Sequence, residues 1–245
     1  MSDSDHGDPK QRRLVLQALA VGFFASGGLF GRQVFAQEAY RRLPVKLPQG
    51  QSIFGVSGDV RVNGKPANLK TQIAAGDNVE TGRGGEVTFV VGDTGFLQRE
   101  NTLLALRPEA RNSALVSGLR LVTGALLCVF GGGRPLRLQT STAAIGIRGT
   151  GVYMEADPEK TYFCTCYGVA DVGAVNDAQS KDTIASTHHD RPVYILKEGQ
   201  AAGLIRPAPF VNHTDQELAL IETLAGRTVP FVFPKDDYKA PRRQY

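Results

Sequence analysis

Residues 117–168 read SGLRLVTGALLCVFGGGRPLRLQTSTAAIGIRGTGVYMEADPEKTYFCTCYG, and their pattern decides the fold class. β-type runs at Leu119–Thr123, Leu126–Phe130, Leu136–Thr140 and Tyr162–Cys166 are separated by glycine turns. No apolar stripe with a helical period survives anywhere in the stretch. In its middle, glycines 146, 149 and 151 let the backbone bend or approach a neighbour closely, while Arg148 stands alone among apolar residues. Such a setting predicts a buried guanidinium held by a carboxylate or by carbonyls, hence a structural role, with ligand binding as the alternative.

Outward from this stretch the same grammar continues. From Ile53 onward, turn chemistry recurs about every ten residues, at Asn63-Gly64, Gly76-Asp77, Gly82 to Gly85, Gly92-Asp93, Gly118, Gly124 and Gly131 to Gly133. Glu86–Val91 alternates, with Val87, Phe89 and Val91 on one face and Thr88 on the other. The expected fold is all-β, either solenoid-like or sandwich-like, although no repeat period is present. One helix interrupts it late. Thr214-Asp-Gln-Glu217 is a capping box, Leu218, Ile221, Leu224 and Ala225 form an apolar face, and Gly226 is placed to end it. Pro230 and Pro234 forbid continuation. This short amphipathic helix is expected to cover an open end of the β core and block edge-to-edge association.

The run LRLVTGALL at 119–127, the threonine-rich 140–142 and the Ile147-Arg148-Gly149-Thr150 turn leading into GVYMEA together carry a resemblance. From about Ile53 to Gly168 the chain resembles the FecR domain, the periplasmic signal-relay module of bacterial iron-transport regulators. The resemblance implies a β domain with Arg148, Gly149, Thr150 and Gly151 as its signature turn. It also implies relay of a conformational signal from an outer-membrane partner to the cytoplasm through a membrane span. Thirteen residues before the first apolar run are too few for the cytoplasmic anti-sigma domain of such regulators. Direct control of a sigma factor is therefore not expected.

The N-terminus reads as an export signal. A polar start, Arg12-Arg13, a glycine-diluted apolar run over 14–31, Arg32 and small residues at Val34-Phe35-Ala36 form the three-part arrangement, with cleavage after Ala36. The arginine pair followed by apolar residues is of the twin-arginine (Tat) type. An uncleaved anchor is the alternative, since the run is just long enough to span a bilayer. The expected divisions are 1–36 signal peptide, 37–51 linker with Pro44 and Pro48, 52–209 FecR-like β domain, and 210–245 C-terminal helix and tail. The mature chain is expected to be periplasmic or exported, without a stable membrane span. Removing four basic and three acidic residues with the signal takes the formal charge from +4 to +3. The remaining charges are scattered singly, without a basic stripe or aromatic platform, which excludes a nucleic-acid partner.

Chemistry concentrates in the cysteines and histidines. On an extended strand Cys164 and Cys166 project from one face, with Cα atoms about 6.6 Å apart, near the long limit for a disulfide. Cys128 is the odd thiol. Three readings stand: small buried hydrophobes, a disulfide from Cys128 to one of the pair, or a metal site. His188, His189 and His213 all fall near the C-terminal helix, and with two thiolates they would satisfy a tetrahedral zinc or iron ion. Catalysis is not expected. Ser186, His188 and Asp190 are too close in sequence for a triad, no nucleophile elbow or phosphate loop is present, and nothing near the thiols, such as a helix N-terminus, marks a lowered pKa. The reading is a non-catalytic exported β module, without a cofactor, that binds an envelope protein or cell-wall ligand. The alternative is an exported metal-binding protein using Cys164, Cys166 and the C-terminal histidines.

Overall fold

A computed structural model describes residues 45–110, 115–132, 134–199 and 203–231. The signal residues Arg12, Arg13 and Ala36 lie outside them, as do Pro234 and the basic tail. In chain order the strands are β1 (Ile53–Ser57), β2 (Val60–Val62), β3 (Lys65–Pro66), β4 (Asn78–Thr81), β5 (Glu86–Val91), β6 (Thr94–Gln98) and β7 (Thr102–Pro108). They continue as β8 (Val116–Val129), β9 (Pro135–Gln139), β10 (Ala143–Ala156), β11 (Lys160–Ala174), β12 (Asp177–Ser186), β13 (Val193–Leu196) and β14 (Ile205–Pro207). All fourteen belong to one sheet that does not close on itself, and one helix, α1 (Asp215–Leu224), follows.

Three long strands organise this sheet, and each bends at a glycine with positive φ. β8 pairs with β7 up to Thr123 and with β6 from Leu126, and Gly124 (φ 89°) stands between. β10 pairs with β9 over 144–148 and with β8 over 151–156, and Gly149 (φ 58°) marks a register shift at the exchange. β11 pairs with β13 over 160–163 and with β12 from Gly168 (φ 95°) onward. A side chain at 124 would run into Thr102, so both conformation and space demand glycine there. Gly124 and Gly149 thus bend continuous strands rather than separate short ones. The bends fold the sheet over itself in a sandwich-like manner.

The core fills the fold between its halves. Phe89, Phe96, Leu126, Cys128, Met154 and Phe163 from one half join Leu104, Leu121, Leu138, Ile145, Ile147 and Val172 from the other in a single buried cluster. Phe89 stacks on Phe96 at 4.7 Å between ring centroids. Val87, Phe89 and Val91 face this core as their alternation predicts.

Arg148 departs from expectation. Along β10 the inward positions are Ile145 and Ile147, and strand alternation turns Arg148 outward, where it is exposed. Its proposed burial and structural role are therefore corrected. Thr150 of the turn is buried, and its hydroxyl donates toward the carbonyls of Arg148 (3.0 Å) and Val169 (3.2 Å). Gly151 is required because a Cβ would strike the Tyr167 ring.

α1 forms as its residues dictate. The Thr214 hydroxyl accepts from the Glu217 amide at 3.2 Å, the Glu217 carboxylate accepts from the Thr214 amide at 3.1 Å, and Gly226 (φ 81°) follows the C-cap. The helix does not cap an open end of the core. It lies across the outer face of β5, β6 and β8, where Leu218 and Ile221 pack on Leu97, Leu127 and Val129. Arg99, just after β6, fastens it with ion pairs of 2.8 Å to both Glu217 and Glu86, all three side chains being largely buried. Among the described residues no helix is long and apolar enough to cross a membrane.

Candidate metal centre

Strand alternation on β11 sends Phe163 into the core and Cys164 and Cys166 to the opposite face, beneath the α1 segment. A second element reaches them from the turn after β12. There the Asp190 carboxylate accepts from the Thr187 amide (2.7 Å) and hydroxyl (2.9 Å), while the Asp190 amide donates to the Ser186 hydroxyl at 3.0 Å. These bonds hold the carboxyl of Asp190 below its ordinary range, the Thr187 amide contributing most. Ser186 and Asp190 therefore shape a turn. The turn delivers His189 in a left-handed conformation (φ 54°), with its amide donating to the Cys166 carbonyl at 2.9 Å. A third element is the entry to α1, where Asn212 (φ 65°) turns His213 inward, stacked on Tyr153 at 4.4 Å.

Cys164, Cys166, His189 and His213 converge. One ligand atom from each lies within 4.8 Å of all the others, and every one of these residues is buried. Cys164 Sγ stands 3.4 Å from His189 Nδ1, which is 3.1 Å from His213 Nε2. A tetrahedral ion bonded at about 2.0–2.1 Å to nitrogen and about 2.3 Å to sulfur has edges of roughly 3.3 Å between nitrogens and 3.5 Å between nitrogen and sulfur. The two observed separations are close to those edges.

The outer hydrogen bonds determine which ring nitrogens carry protons. His189 Nε2 faces the Asp215 carboxylate at 2.9 Å and His213 Nδ1 faces the Val211 carbonyl at 2.7 Å. Both partners only accept, so both nitrogens donate. The lone pairs of His189 Nδ1 and His213 Nε2 consequently point at each other and at the sulfurs. Two lone pairs 3.1 Å apart require a cation between or beside them, either a proton or a metal. Carboxylate and carbonyl partners of this kind are what orient metal-bound histidines.

The electrostatics are those of a charge-separated pocket. For Cys164 burial opposes ionisation, but the Cys166 thiol together with His213 and His189 outweighs it and holds the thiol below its ordinary range. Burial and the neighbouring Cys164 push Cys166 up. His189 is pushed up to about 9: burial works against its charge, and Asp215 and Cys164 more than offset that. Asp215 is held down against burial by His189 and His188. It is also the first residue of α1, where the helix dipole favours negative charge. The expectation that nothing near the thiols marks a lowered pKa is corrected: Cys164 is held below its ordinary range, and the start of α1 stands beside the site.

The expected ligands thus divide. Four of the five come together, whereas His188 donates to the other oxygen of Asp215 at 2.8 Å and is the partly exposed member of the group. Cys128 belongs to the core on the other side of the sheet, and all three cysteines are free, which removes the disulfide reading. Cys164, His189 and Asp215 are also spaced as a thiol–imidazole–carboxylate relay. Cys164 of this group is fully buried. Sequence reasoning missed Asp215, the Val211 carbonyl and Arg99. The adjacency of Asp215 to the capping threonine was the one available signal.

No family model and no curated protein matches this sequence. Among solved structures it is similar to two crystal structures, at 2.50 and 1.65 Å resolution, described as a candidate anti-sigma factor from Parabacteroides distasonis. Both are 13% identical, with TM-scores of 0.42 and 0.43, over 54% of this chain and 58% of theirs. The chain thus spans little more than half the length of these structures.

Proposed function

We propose that this chain is a non-catalytic β module with a four-coordinate structural zinc centre, formed by Cys164, Cys166, His189 and His213, that fastens the α1 segment to the sheet. The observation that carries this reading is the convergence of two imidazole lone pairs with two thiols, each imidazole oriented from behind by an acceptor. A closed set of two nitrogens and two sulfurs suits zinc better than iron bound by oxygen and nitrogen, and it leaves no open position for a reacting water. The ligands come from β11, the β12–β13 turn and the α1 entry, so one ion ties together segments far apart in the chain. Purified full-length protein should contain close to one zinc per chain, and chelator should lower its melting temperature, because an ion bound to the native state adds to its stability. A chain without bound metal, whose melting is indifferent to both zinc and chelator, sinks the proposal.

A second reading rests on Arg148. It is exposed beside the Gly149 bend and has no ion-pair partner among the described residues. The leader pattern from Arg12 to Ala36 supports an exported, periplasmic setting, and the likeness of Ile53–Gly168 to FecR domains supports a relay or binding role. In that role Arg148 contacts an anionic group on an envelope protein or cell-wall ligand, because a planar guanidinium suits carboxylate and phosphate.

A further inference from the structure

We infer that His188 and Asp215 form an outer capture site for a divalent transition-metal ion, through which the ion enters and leaves the buried centre; this rests on the zinc reading above. His188, His189 and Asp215 bring their ligand atoms within 4.8 Å of one another, forming a second cluster that shares His189 with the first. Its members differ in access. The His188 side chain is 29% exposed, that of His189 is 3% and that of Asp215 is 0%. His188 is therefore the member that an ion arriving from solvent meets first; the ion replaces the hydrogen bond between Nε2 and Asp215 (2.8 Å) as the ring shifts its proton to Nδ1. The imidazole and carboxylate are ordinary ligands for such an ion.

The backbone supports a purpose for this pairing. His189 adopts φ 54°, in the left-handed region that histidine enters more readily than most residues, and both rings reach one carboxylate with centroids 4.9 Å apart. Asp215 divides its oxygens between them, one on the solvent side and one on the buried side. His189 belongs to both clusters, so an ion held at the outer pair lies one imidazole away from the buried centre.

A way station accelerates entry and exit equally and leaves the equilibrium unchanged. This separates it from a positioning role, in which loss of His188 would loosen His189 and weaken affinity. The test uses cobalt(II) alone, mixed rapidly with metal-free full-length protein and followed by its thiolate charge-transfer absorption. Release from the loaded protein into excess chelator gives the reverse rate. For His188→Ala and His188→Asn we expect both rates to fall by about tenfold, equivalent to roughly 1.4 kcal/mol of barrier, with the dissociation constant and melting temperature of the loaded protein unchanged. Unchanged rates, or an affinity lost through faster release, overturn the capture site while leaving the buried centre standing. If wild-type protein takes up no cobalt, the buried centre fails and the capture site with it.

Discussion

The inner and outer faces of β8, β10 and β11 are built from alternate residues of the same strands, yet different forces hold them. Inward, Leu126, Cys128, Met154 and Phe163 meet aliphatic residues of the opposing half, and stability there comes from non-directional apolar burial. Outward, Leu127, Tyr153, Tyr162, Cys164 and Cys166 meet a cover formed by one ten-residue helix and its flanks. Directional bonds supplement it: the Arg99 ion pairs, the capping box and, in our reading, a metal ion. One face tolerates any well-shaped apolar residue, while the other requires particular atoms.

Replacing a cysteine on each face separates the two cases most sharply. Cys164→Ala should abolish metal binding and cost about 4 kcal/mol or more, when free zinc stands a thousandfold above the dissociation constant of the wild type. Cys128→Ala removes one small group from the core, should cost about 1 kcal/mol, and should leave metal content intact. Equal losses, or metal lost from both variants, would break the distinction between the faces; melting curves paired with elemental analysis decide it.

Arg99 probes the outer face independently of the metal. Arg99→Ala removes the cation shared by two largely buried carboxylates, Glu86 and Glu217, and should cost about 3–4 kcal/mol by denaturant unfolding, with weakened protection of α1 amides in hydrogen exchange. A cost below about 1 kcal/mol would mean that the pairs contribute no more than surface ones.

Arg148 sets the lower bound. Being exposed and without an ion-pair partner among the described residues, it should be replaceable by alanine within about 0.5 kcal/mol in thermal melts. A larger loss would return it to a structural role.

The sequence carried much of this architecture and little of its cross-links. Short alternating runs and turn signals made the all-β class legible, and Thr214 to Glu217 announced the helix start. The Cys-x-Cys spacing put two thiols on one face, because strand periodicity is local. Alternation from Ile145 and Ile147 already pointed Arg148 outward, but its apolar neighbours suggested burial. The strand bend at Gly124 read as a turn between two strands, since a positive-φ glycine serves both purposes equally well. Arg99 and Glu217 lie 118 positions apart, and no local pattern joins them. The choice of His189 over His188 as the inward ligand depends on a single backbone conformation, which composition does not encode.

X-ray absorption at the zinc edge of the purified full-length protein tests the central claim most directly. The account predicts two sulfurs at about 2.3 Å and two imidazole nitrogens at about 2.0–2.1 Å, with the sulfur contribution lost in Cys164→Ala. A shell of nitrogen and oxygen alone, or a spectrum unaltered by that substitution, would contradict it.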